Sequence, residues 1–192
     1  MPFNFDDFKK QISDSIEEGK NAKDQDHIAE LVEEFTPKIL KAFQEATDGR
    51  YLSATISLEQ GVPAYFVDFL ESVVRCDVIC TARQYSKDYA LVFRHRPTFT
   101  GDSMIVESKK YEGFGKFTAI LTKAYEQWED ALVKKFSEPA FEAIKKGRNA
   151  VTFDSEIPSW IKRLFTDQHI HSDIIHNPKT GEWILHLNVV GK

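Results

Sequence analysis

The phrase LVEEFTP, Leu31 to Pro37, returns as LVKKFSEP, Leu132 to Pro139, and the signals after each copy keep the same order. A helical stretch leads to Gly-Arg (Gly49-Arg50, then Gly147-Arg148), and a short β-branched run follows. Then come VPAYFVDFL at 62–70 or IPSWIKRLF at 157–165, and each copy ends in a hairpin pattern. Self-similarity over this length constrains the fold more than any composition figure, because each copy must be one supersecondary unit.

The pieces read as αβαββ. In the first helix Ile28, Leu31, Val32, Phe35, Ile39 and Phe43 recur at three- and four-residue spacing, and Phe117, Leu121, Trp128, Leu132 and Phe136 do so in its counterpart. Pro37 and Pro139 fall inside these patterns, where a proline removes a hydrogen bond, so a kink or restart is expected. Gly49 and Gly147 are expected as C-terminal caps. Pro63 and Pro158 suit the first turn of the second helix, and Tyr65 and Trp160, two residues on, are expected as equivalent core anchors. Phe5, Phe8, Ile12 and Ile16 predict an additional N-terminal helix ended by Gly19.

The fold class expected is therefore α+β: a tandem duplication of an αβαββ unit giving two small antiparallel or mixed sheets, or one continuous sheet. Helices cover the sheets about a pseudo-two-fold axis. The division expected is 1–97 for the first repeat with its extra N-terminal helix, 98–116 for a joining segment with a strand at SMIVES, and 117–192 for the second repeat. Three strands and two helices bury little apolar surface alone, so the copies are expected to share a core.

With 42% hydrophobic and 29% charged residues and no long apolar run, the chain reads as globular, with no membrane partner and no secretory leader. A cytoplasmic setting, in a cell or as a viral intracellular protein, is the expectation. Cys76 and Cys80 in the strand-like run VRCDVICTAR would lie about 13 Å apart along one face, too far for a disulfide. Both are expected reduced. The net charge of -5 comes wholly from residues 1–97, which weighs against duplex DNA, where phosphate neutralisation supplies most of the affinity.

Phosphate-loop, nucleophile-elbow, zincin, kinase and calcium-loop patterns are absent from the sequence. Four of the 6 histidines fall in the last hairpin, HIHSDIIHNPKTGEWILHLNVV. With NPKTG as the turn, Ile174 opposes Leu187 and Ile175 opposes His186, so His171, Asp173, His186 and Asn188 share the outer face. Such a group could bind a metal or move protons, but strand side chains project in parallel and converge poorly, so a structural role without metal or cofactor is expected. The first copy's outer face carries Asp77, Thr81, Arg83, Arg94 and Arg96. The candidate binding residues are thus Arg83, Arg94, Arg96, His171, Asp173 and His186.

The leading expectation is a non-enzymatic regulatory or assembly protein that binds another protein through its acidic helical half or its outer sheet faces. Homodimerisation is compatible with it. The alternatives are a nucleic-acid-associated protein using Arg83, Arg94, Arg96 and Lys162-Arg163, and a small metal-dependent hydrolase centred on the histidine hairpin.

Overall fold

The computed structural model describes residues 5–74, 76–82, 88–96, 114–166 and 168–189, with side chains from residue 26 onward. The first half runs α1 (Phe5–Gly49), β1 (Ser53–Leu58), α2 (Ala64–Val74), β2 (Asp77–Ala82) and β3 (Tyr89–Arg94). The second runs α3 (Gly115–Lys145), β4 (Ala150–Phe153), α4 (Ile161–Thr166), β5 (Ile170–His176) and β6 (Trp183–Val189). This is an α+β fold. Each half has its own three-stranded sheet, in the orders β1-β3-β2 and β4-β6-β5, and all four pairings are antiparallel. Among the described residues neither a mixed sheet nor a continuous one forms, while element order and strand order are the same in both halves.

One helix expectation is corrected and another is narrowed. The N-terminal helix does not end at Gly19, because α1 is a single helix of 45 residues that passes through it. Neither proline restarts a helix: Pro37 lies inside α1 and Pro139 inside α3. A proline ring costs one backbone bond, and the buried stripes on both sides of each proline keep the helix in register.

The two Gly-Arg dipeptides are not structurally equivalent. The Tyr51 amide bonds the Ala46 carbonyl at 2.9 Å and the Arg148 amide bonds the Ala143 carbonyl at 2.8 Å, so the left-handed capping residue is Arg50 in one half and Gly147 in the other. Their φ angles are 49° and 69°. Gly49 serves differently: a Cβ there would lie 2.2 Å from the Tyr51 ring, which lies against it. The α4 helix starts at Ile161, with Pro158 to Trp160 forming a turn whose carbonyls accept the Ile161 to Arg163 amides. SMIVES lies outside the described residues.

Two apolar clusters form, and α3 divides between them. Ile28, Phe35, Ile39 and Phe43 of α1, Phe66, Phe69 and Leu70 of α2, and Leu91 and Phe93 of β3 pack with Phe117, Leu121, Tyr125, Trp128 and Leu132 of α3. The second cluster begins one turn later, at Phe136, and adds Ala140, Ile161, Phe165, Leu185 and Leu187. Leu52 and Trp160 touch both clusters. Cys76 is buried immediately before β2 and Cys80 is half-buried within it, and both are free thiols.

Candidate functional site

The β5–β6 hairpin turns through a six-residue connection. The Gly181 amide bonds the Asn177 carbonyl at 2.8 Å, the Asn177 amide bonds the Glu182 carbonyl at 2.9 Å, and the Asn177 side chain accepts from the Lys179 amide at 3.1 Å. Gly181 takes φ 75°, which the turn requires. This connection sets the register two residues away from the expected one: Ile174 opposes Leu185, Ile175 opposes Ile184, Asp173 opposes His186 and His171 opposes Asn188. A two-residue slip leaves every side chain on its expected face.

On that outer face Asp173 is the centre. His171 Nε2 is 3.3 Å from one of its oxygens and Lys162 Nζ, from α4, is 3.5 Å from the other. All three groups are about half exposed, so each pairing contributes little, roughly 0 to 1 kcal/mol. His186 stands directly across the ladder from Asp173, with Ala150 of β4 on its other side. Among the described residues no group of three His, Cys, Asp or Glu side chains is placed to hold a metal ion. Next along the face, Ile175 and Ile184 oppose each other with Thr152 beyond, and Ile175 is 49% exposed.

The first half's outer face presents Arg94 between Ser53 and Asp77, then Val92 between Thr55 and Ile79. Arg96 Nη1 is 3.8 Å from Asp77 Oδ1, which neutralises part of the basic surface. Arg83 lies outside the described residues. The five described candidate residues therefore fall in two places: Arg94 at the end of β3 with Arg96 just beyond it, and His171, Asp173 and His186 on the second sheet.

A further constellation went unnoticed in the sequence. The side chain of His95, just after β3, is 1% exposed, and its ring nitrogens have no hydrogen-bond partner among the described residues. Its ring stacks on Tyr125 with centroids 5.5 Å apart, meets Trp128 edge-on at 5.5 Å and lies 5.3 Å from Trp160. Glu129 Oε1 is 3.7 Å from Nε2, beyond hydrogen-bond range. Burial pulls the imidazole pKa down to about 4, so His95 is neutral at pH 7. Tyr125 locks the same strand end, its hydroxyl donating to the Arg96 carbonyl at 2.5 Å and accepting from the Arg96 amide at 2.8 Å. A signal for this site existed: Leu91 and Phe93 alternate inward along β3, and continuing that period places His95 inward as well.

No family model and no curated protein matches the chain. A solved structure of I-DmoI in complex with DNA and Mn is similar over 71% of this chain and 73% of that one, at 10% identity and a TM-score of 0.23, a likeness too low to bear on fold or ligand.

Proposed function

We propose that the chain is a non-enzymatic protein-binding protein that meets its partner on the outer face of β4-β6-β5. The observation that carries this reading is the Ile175–Ile184 pair, an apolar centre with Ile175 exposed and with Asp173 and His186 next to it along the ladder. An apolar centre with a polar rim is the usual anatomy of a protein interface. The charges on both sheets favour it over a phosphate backbone. Asp173 already holds His171 and Lys162, and Arg96 holds Asp77, so little net positive potential is left over. No helix among the described residues is long and apolar enough to cross a membrane.

The test is affinity capture from the native host with the wild-type chain and an Ile175→Asp, Ile184→Asp variant, the captured proteins being identified by mass spectrometry. Both positions face outward, so circular dichroism should be unchanged. A partner captured by the wild type and lost with the variant is expected. Equal capture by both would sink the outer-face reading, and oligonucleotide binding at about 50 mM salt that weakens steeply on salt addition would replace it with a nucleic-acid one.

A further inference from the structure

Each half has a groove between the C-terminal part of its long helix and the edge of its first strand. The first, of about 440 Å³, runs between α1 and β1, and the second, of about 290 Å³, between α3 and β4. The two are the same place in the repeat. Ala46, Ala54 and Thr55 in one correspond to Ala143, Val151 and Thr152 in the other, at a constant sequence offset that also superposes the two helix caps.

The physical content of the groove is a strand edge. β1 pairs with β3 on one side and β4 with β6 on one side, and no described strand pairs with the opposite edge of either. Such an edge offers backbone donors and acceptors to an added extended chain. The helix wall opposite is low where it must be, because Ala42, Ala46 and Ala143 leave space that larger side chains would fill.

Charge selects the occupant. Each groove has one carboxylate from its helix wall, and each is paired along its own helix, Glu45 to Lys41 at 3.8 Å and Glu142 to Lys145 at 2.8 Å. The remaining charged groups at the grooves are basic: Lys135 beside Arg50 at the first, Lys146 and Arg148 at the second. Lys135 donates to the Arg50 carbonyl at 3.1 Å, and partial burial together with the Arg50 charge pulls its pKa down, so an anion brought to this point would relieve an existing repulsion.

We propose that these grooves bind extended polypeptide segments with acidic side chains, each adding as a strand to β1 or β4, so that the repeat presents two equivalent peptide sites. The proposal takes the partner class from the protein-binding reading but places contact at the strand edges, away from the Ile175–Ile184 face. Two sites in one molecule favour a partner with two acidic segments, since the second contact becomes intramolecular.

The experiment is selection from a displayed library of random peptides of roughly ten residues, long enough to span a six-residue strand, against the full chain. Enriched peptides are then synthesised and titrated by fluorescence anisotropy. Acidic, β-prone sequences are expected, with affinity falling at least about tenfold in a Lys135→Glu, Lys146→Glu, Arg148→Glu variant, a change of about 1.4 kcal/mol. Thr55→Pro and Thr152→Pro, which each block an edge position, should weaken binding likewise, and a Lys146→Glu, Arg148→Glu variant, changed only at exposed positions, keeps the test decisive should another variant fail to fold. No enrichment, enrichment without acidic excess, or binding unaffected by the charge reversals would overturn the grooves. If the natural partner is lost with Ile175→Asp, Ile184→Asp yet retained by the groove variant, the grooves fail while the protein-binding reading stands.

Discussion

At the scale of single residues His95 makes the sharpest statement about stability. Its folded pKa, about 4, lies below the ordinary imidazole value of 6.5, so as pH falls the unfolded chain takes up the proton first. The stability that neutral burial supplies is therefore complete above about pH 6.5 and is lost progressively as the pH falls toward about 4, to a total of about 3 kcal/mol. At pH 5 the loss should be about 2 kcal/mol. A His95→Phe variant keeps an aromatic ring between Tyr125 and Trp160 but cannot protonate, so its urea stability should fall less than the wild type's between pH 7.5 and 5 by about that amount. Equal falls would mean that His95 does not titrate as its burial requires. The residue was legible only in part: strand alternation points it inward, but nothing in FRHRP shows that a helix twenty-odd residues downstream, supplying Tyr125 and Trp128, will close over it.

At the scale of elements the sequence carried the alternation of faces better than it carried turns and caps. Period-two patterning assigned His171, Asp173 and His186 to the outer face, and the assignment survived the change of register because a slip of two preserves parity. The register itself depended on which residues close the connection, a matter settled by backbone bonds at Asn177 and Gly181 that spacing does not encode. Caps failed for a similar reason. Gly49 marks where α1 ends, yet the left-handed residue is Arg50, while in α3 the glycine itself takes that conformation. Gly147→Ala should accordingly lower stability by about 1 kcal/mol, because alanine must adopt φ near 69°. Arg50→Ala, already a non-glycine position, should change it by less than about 0.5 kcal/mol. Chemical denaturation of the two variants compares them directly, and an equal cost at both sites would contradict the inequivalence of the dipeptides.

At the scale of the molecule the repeat explains the topology, and a tandem duplication is our proposal for its origin, but the core does not divide where the repeat does. A boundary near residue 97 assigns all of α3 to the second copy, whereas Phe117, Leu121, Tyr125, Trp128 and Leu132 are buried in the cluster of the first. Further links cross in the same direction. Trp128 Nε1 donates to the Tyr51 carbonyl at 2.7 Å, and Lys135 Nζ reaches the Arg50 carbonyl, so α3 also holds the turn between α1 and β1. Burial of five such side chains is worth on the order of 8 to 15 kcal/mol, which is the whole net stability of a typical domain. A fragment spanning 1–97 should therefore not fold alone. Its far-UV spectrum is expected to retain helix from α1, while amide exchange shows no slowly exchanging sites in β1, β2 or β3 and a hydrophobic dye binds the uncovered Phe43, Phe69 and Phe93. Adding the complementary fragment 98–192 supplies α3 and should restore protected strand amides, with Trp128 fluorescence shifting to shorter wavelength as the ring is buried again. Protected strand amides in fragment 1–97 by itself would show that the first unit is a domain in its own right, and the shared core would then be a contact between two folded bodies.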